Sequence, residues 1–226
     1  MPLSAGIAAS PAVVSAAANA GVDVTGLAFA RAVLAVAAAP LIWNVVARAE
    51  YATGVLSRVF GRRGGCYVLA VWIFCFSLYR DALVVAAMRD GAAWGAVSGG
   101  WLDTIVTAAR GWEGVLGGLG GLLVGSSMWR LGITGTYLGD YFGILMPARV
   151  TGFPFSWTSA PMYDGSTLLF VAKAVAEGSP VGLLLAAWVY VVYALARAAE
   201  DPFTAHIYAR AEAEAAAGTT PAKKRQ

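Results

Sequence analysis

Long apolar runs separated by short polar breaks dominate this chain. Gly26 to Ala47, Cys66 to Met88, Gly114 to Ile133 and Val181 to Ala199 each approach the roughly 20 residues that a membrane-spanning helix needs. Ser166 to Ala176 is too short to cross alone as a straight helix, and the Glu177-Gly178-Ser179-Pro180 that follows it is a strong turn signal. Asp164 to Ala199 therefore reads as a helical hairpin dipping into the bilayer, with both mouths on one side. Such a hairpin draws Pro161-Met162-Tyr163-Asp164-Gly165 towards Glu200 and Asp201. The predicted fold class is an all-α integral membrane protein with about four apolar membrane helices plus a shorter re-entrant or hairpin helix. It divides into an Ala-rich N-terminal segment over 1–25, a membrane-embedded domain over 26–208 and a polar cytoplasmic tail over 209–226, with neither a soluble domain nor an internal repeat.

Polar positions that interrupt this pattern are the candidates for chemistry. The last run stops at Glu200 and Asp201, and Pro202 is predicted to end the helix because it has no N–H to donate. A carboxylate beside hydrocarbon is costly unless it faces water, a cation or a ligand; a plain stop signal at the headgroups is the bland alternative. In the third run, Gly114, Gly117, Gly118, Gly120, Gly121 and Gly125 give small-xxx-small spacings, which usually mean close helix packing. Gly118-Leu119-Gly120 also admits a second use, the approach of a ligand to backbone that carries no Cβ. Between Leu131 and Phe155, neither hydropathy nor helical period accounts for Gly135 to Gly143 or for Arg149 to Phe155. An aromatic belt explains the rings there, whereas the interleaved glycines, Asp140 and Arg149 point to a loop shaped around something polar.

Composition strengthens the membrane assignment. Of 226 residues, 59% are hydrophobic and 13% charged, with mean hydropathy +0.67, which excludes an ordinary soluble fold. Met1 to Ala20 has no basic stretch ahead of its apolar residues and no clear cleavage pattern, so no cleaved signal is expected. The net charge of +3 matters less than its distribution. Arg48, Arg58, Arg62 and Arg63 fill the loop expected after the first run, and Arg210, Lys223, Lys224 and Arg225 lie in the tail; both segments are expected on the cytoplasmic side. The expected partner of these charges is the bilayer, with no nucleic acid. Cys66 and Cys75 lie about 13 Å apart along one predicted helix, too far for a disulfide. His206 is the single histidine and no Cys/His cluster exists, so no metal site is expected.

Four segments carry a likeness across most of residues 40–208: Leu41-Ile42-Trp43-Asn44-Val45-Val46-Ala47-Arg48, Gly132 to Phe155, Pro161-Met162-Tyr163 with Gly165-Ser166-Thr167, and Pro202-Phe203-Thr204-Ala205 with Ile207-Tyr208. On these segments the chain resembles the phospholipid N-methyltransferases, membrane enzymes that convert phosphatidylethanolamine or its methylated forms to phosphatidylcholine. The resemblance implies S-adenosylmethionine as methyl donor, no metal, a membrane phospholipid as substrate, and a multi-pass location in the endoplasmic reticulum membrane, with a mitochondrial membrane as a second setting. The family's cofactor motifs are a Gly-x-Gly in the third apolar helix and an acidic pair after the last, which fall on Gly118-Leu119-Gly120 and on Glu200 with Asp201. Where the family often has two glutamates this chain has Glu-Asp, which puts more weight on Glu200 than on Asp201. Asp164 and Lys173 also look atypical, and the segment before Gly26 lies outside the likeness. A more distant similarity, to the isoprenylcysteine carboxyl methyltransferases, rests on Pro161, Tyr163 and Gly165. It implies that Tyr163 and Gly165 form a second face of the cofactor pocket. A glutamate there suits ribose hydroxyls or an ammonium, both donors to a carboxylate.

Methyl transfer from a sulfonium to an amine is an in-line displacement, so such an enzyme mainly holds sulfur, methyl and nitrogen collinear. A lipid ammonium that titrates like lysine, at about 10, leaves about one molecule in a thousand ready for attack at neutral pH. Asp140, Glu200 and Asp201 are the candidate bases; the sequence does not choose among them, and Asp140 and Glu200 are carried forward as catalytic. Tyr137 and Tyr141, with Phe142 and Tyr163, are placed around the methylated cation, and Arg149 either partners the lipid phosphate or snorkels at the interface. Charge patterning puts Gly132 to Gly165 beside Glu200 on the cytosolic side, yet leaves Gly118 roughly 18 Å away along its helix. Two alternatives share parts of the pattern: a methyltransferase acting on another lipid or a prenylated substrate, and a non-enzymatic membrane scaffold or small transporter.

Overall fold

The computed structural model describes residues 10–12, 14–15, 24–92 and 101–217. Within them the chain forms α1 (Leu27–Thr53), α2 (Val55–Ala92), α3 (Trp101–Ala108), α4 (Glu113–Thr136), α5 (Pro161–Ala176) and α6 (Pro180–Ala216), with a 3₁₀ turn over Gly139–Phe142 after α4. No strand occurs among the described residues. α1, α2 and α6 are long and apolar enough to cross a membrane, as the first, second and last apolar runs predict. α4 covers the third run, but its glycines stand where the other helices carry larger apolar side chains and keep it out of that group. Most of the 1–25 segment, and the tail beyond residue 217 with Lys223, Lys224 and Arg225, lie outside the described residues.

Local chemistry sets the helix ends. α1 stops at Gly54, whose φ of 65° is the left-handed conformation that glycine adopts without steric cost. Buried Glu50 then accepts the N–H groups of Leu56 (2.7 Å) and Ser57 (3.0 Å), donors that the start of α2 would otherwise leave unpaired. The basic segment expected as a loop is therefore helical, interrupted at Gly61. The predicted hairpin is present: α5 and α6 pack together, and Ser179 Oγ accepts from Gly182 N at 3.2 Å to cap α6. Pro202 departs from expectation, because α6 runs through it to Ala216. Proline leaves the Ala198 carbonyl without its helical donor, and Arg48 of α1 donates to the adjacent Ala199 carbonyl at 2.7 Å. Polar groups from a neighbouring helix are what let membrane helices tolerate proline.

α6 is the central column of the packing. Leu185, Val189 and Val192 bury against Val36, Ala39 and Trp43 of α1 and Val84 and Met88 of α2. Trp188 Nε1 donates to the Val33 carbonyl (3.1 Å) on one side, and on the other Ser179 Oγ donates to the Met88 carbonyl (3.4 Å). Buried Arg80 of α2 donates to Tyr193 of α6 (2.7 Å), pairs with Asp81 (2.8 Å) and lies over the Phe170 ring of α5. Cys66 and Cys75 are both free thiols.

α4 and α5 run antiparallel with their backbones in near contact. A Cβ built on Gly120 would lie 2.7 Å from the Gly165 carbonyl oxygen, and one on Gly165 would lie 2.8 Å from that of Gly120, which is small-residue helix packing. Gly118 is exposed, and a Cβ there meets nothing within 4 Å. Gly120→Ala is therefore expected to destabilise the protein by about 1–3 kcal/mol through overpacking, measured as thermal unfolding in detergent, while Gly118→Ala leaves stability unchanged. Equal losses in the two variants would place both glycines in the helix contact.

Candidate functional site

Glu200 sits on α6 where the apolar run ends, and its carboxylate is held from two other helices. Oε1 accepts from Trp43 Nε1 (2.8 Å) and Asn44 Nδ2 (2.6 Å), and Oε2 accepts from the Tyr163 hydroxyl (2.6 Å). Trp43 and Asn44 are consecutive residues of α1; Trp43 is 7% exposed, and Asn44 also donates to the Pro40 carbonyl (3.0 Å). Tyr163 lies in the first turn of α5, where the hairpin expectation put it. All of these partners are neutral, so the site keeps the carboxylate's negative charge. A carboxylate offers about four lone-pair positions, and the donors named here leave one on Oε2. Asn44 Oδ1, on the amide whose nitrogen donates to Oε1, is buried without a hydrogen-bond partner. The remaining lone pair on Oε2 can accept from a ligand that brings a donor.

A second carboxylate faces the same end of α6. Asp140, in the turn after α4, accepts from Thr204 Oγ1 at 3.0 Å. Burial pushes its pKa above the usual carboxylate range; the hydrogen bond from Thr204 opposes that shift, and the nearby charge of Glu200 adds to it. Tyr141 is 2% exposed and stacks on Phe203 with ring centroids 5.1 Å apart. Burial, reinforced by the carboxylates of Asp140 and Glu200, pushes its phenol up to about 12, so it remains protonated at neutral pH. The Arg48 guanidinium covers the same Phe203 ring at 4.6 Å. Tyr137 is half-buried, which raises its pKa as well. Arg149 and Asp201 are exposed, and their side chains make no hydrogen bond or ion pair among the described residues.

Among the residues singled out in the sequence, Glu200, Tyr163, Asp140 and Tyr141 therefore come together. Gly120 and Gly165 meet each other, while Gly118 and Leu119 present exposed backbone and side chain beside that contact. The separation of roughly 18 Å expected between Gly118 and the acid shrinks, because α5 begins beside the middle of α4. Gly165 abuts Leu123 and Val124 and Tyr163 lies two residues further along the antiparallel pair, so Gly118 is offset from the level of Tyr163 by about 11 Å along the helix axes. Trp43, Asn44, Arg48 and Thr204 received no role from the sequence. An amide-bearing Asn inside an apolar run was the signal that could have found the first pair.

A family model described as phospholipid methyltransferase matches residues 112–211, from the start of α4 through the acidic end of the last apolar run. The phosphatidyl-N-methylethanolamine N-methyltransferase of Neurospora crassa is 48% identical over 205 residues, which span 90% of this chain and 92% of that relative. The chain belongs to the phospholipid methyltransferase family. Further family members include the phosphatidyl-N-methylethanolamine N-methyltransferase of Saccharomyces cerevisiae, 46% identical over 190 residues (83% of this chain, 88% of the relative). The phosphatidylethanolamine N-methyltransferase of Homo sapiens is 44% identical over 188 residues (83% and 91%). No solved structure matches. The phospholipid methyltransferase model takes in Asp140, Tyr163 and Glu200 but begins after Trp43 and Asn44. In this member, α1 completes the carboxylate site from outside the matched segment.

Proposed function

We propose that this protein transfers methyl groups from S-adenosylmethionine to the amine of phosphatidylethanolamine or of its monomethyl and dimethyl forms, towards phosphatidylcholine, in the endoplasmic reticulum membrane. The observation that carries this reading is the Glu200 carboxylate, held at the end of the apolar run by three neutral donors that leave one lone pair on Oε2 open. Ribose hydroxyls or an amino-acid ammonium bring donors of the kind that lone pair lacks. Glu200, Asn44 and Tyr163 are the residues that would hold the methyl donor, with the exposed backbone at Gly118 as a second edge. When bound, the donor supplies an electrophilic methyl group on a sulfonium.

The protein's own task is to position the amine and remove its proton. Asp140 takes that proton: its burial-raised pKa makes it a stronger base than an exposed carboxylate, and Thr204 fixes its orientation. Glu200, already accepting three hydrogen bonds, acts by binding. Its negative charge also favours an ammonium arriving at the same end of α6, while the bilayer edge excludes bulk water from the reacting atoms.

Purified protein given labelled S-adenosylmethionine with phosphatidylethanolamine, its monomethyl form and its dimethyl form in parallel is expected to label phospholipid. The monomethyl lipid should react fastest, as the names of the Neurospora and Saccharomyces relatives indicate. Label appearing on a prenylated cysteine and on none of the three phospholipids would overturn the reading.

A further inference from the structure

A shallow cleft of about 30 Å³ opens between α5 and α6, lined by Tyr163, Asp164, Thr167, Tyr190, Tyr193 and Arg197. It shares one wall with the carboxylate site. Tyr163 turns its hydroxyl to Glu200 and its ring to Tyr193, centroids 4.8 Å apart. Arg197 donates through one terminal nitrogen to Ser159 Oγ (2.8 Å) and makes no salt bridge among the described residues; its Nε is buried without an acceptor. The other terminal nitrogen of this cleft-lining guanidinium has no acceptor among the described residues and can donate to a tetrahedral oxyanion. Arg48, the other arginine close to Glu200, already serves the Ala199 carbonyl and the Phe203 ring.

The adjoining carboxylate site fits the other end of a zwitterion. Tyr163, which lines the cleft and donates to Glu200, supplies an aromatic ring on the path between the two. Asp164, which takes the Thr158 hydroxyl, adds negative charge next in sequence to Tyr163. Arg197 and Glu200 are three residues apart on one helix, a rise of about 4.5 Å, comparable with the reach of an ethanolamine linker between phosphate and amine. The enclosed space holds about one water, so a headgroup lies across the mouth rather than inside. At that mouth Tyr190 is exposed, and so is Leu195, next in sequence to the lining Ala194, an apolar surface on which acyl chains can remain in the bilayer.

We propose that Arg197 binds the phosphate of the phospholipid substrate at this cleft, with the headgroup amine directed along α6 towards Glu200 and Asp140. The proposal rests on the phospholipid methyltransferase reading and names the phosphate subsite within it. The test uses the full chain in detergent-lipid micelles, with phosphatidyl-N-methylethanolamine and a phosphate-free long-chain N-methylethanolamine ether as alternative substrates. Arg197→Gln is expected to raise KM for the phospholipid by about tenfold or more, the effect of losing a charge-assisted hydrogen bond, and to leave KM for the ether unchanged. Arg197→Lys, which keeps the charge, recovers part of the loss and serves if the glutamine variant does not fold. S-adenosylmethionine affinity, read by calorimetry, stays at the wild-type value in both. An unchanged phospholipid KM, an equal loss on both substrates, or a fall in S-adenosylmethionine affinity would each overturn the assignment. Failure of the Glu200 reading shows up separately, as wild-type S-adenosylmethionine affinity in Glu200→Ala.

Discussion

Glu200→Ala is expected to weaken S-adenosylmethionine binding by about a hundredfold or more, equivalent to about 3 kcal/mol. The substitution removes the acceptor proposed to meet the methyl donor. It also strands the Trp43 indole N–H, the Asn44 amide and the Tyr163 hydroxyl, which all point at that carboxylate. Membrane insertion is expected to be unchanged, because the apolar run from Val181 to Ala199 is untouched. Glu200→Gln separates the two contributions, since it keeps the side chain's shape and one acceptor while removing its charge. Calorimetric titration of purified, folded Glu200→Ala that returned wild-type affinity would sink the assignment.

Asp140→Asn is expected to lower kcat by about 10²- to 10⁴-fold, the range of a lost general base, with a much smaller change in KM for either substrate. The pH profile supplies an independent reading. Burial raises the pKa of Asp140, so as pH falls this group becomes protonated, and unable to accept a proton, earlier than an exposed aspartate does. Wild-type kcat should therefore decline on the acidic side at a pH above the usual carboxylate range, and the variant should lack that limb. Unchanged turnover at saturating lipid and methyl donor would remove Asp140 as the base.

Hydropathy alone locates the helices because a spanning helix must be apolar over its whole length, and the Glu177 to Pro180 break places the hairpin that joins Tyr163 to Glu200. What hydropathy cannot convey is lateral order, meaning which helix stands beside which. Trp43 and Asn44 illustrate this: they reach Glu200 across more than 150 positions of sequence, and nothing in their own neighbourhood marks the face they present. The same blindness affects the glycines of α4. Their spacing announces a close approach, but only the crossing point assigns Gly120 to Gly165 and leaves Gly118 outside it. Pro202 misleads for a related reason, since the Arg48 donation beside the proline comes from another helix. Arg197 escapes notice because an arginine at a membrane edge is ordinary until its unpaired donors and the adjoining tyrosines are seen together.

The uninterrupted course of α6 has a physical consequence for the membrane around it. From Pro180 to Ala199 the helix rises about 30 Å, the thickness of a bilayer's hydrocarbon core, and it continues as one rod through Glu200 to Ala216. The acid therefore cannot settle independently of the rod; its height above the acyl chains follows from how the whole helix sits. In a thinner or thicker bilayer the rod tilts, or the lipid around it deforms, and the phosphate plane shifts relative to Arg197 and Glu200. Membrane thickness thereby becomes a mechanical setting on how well a headgroup meets its methyl donor.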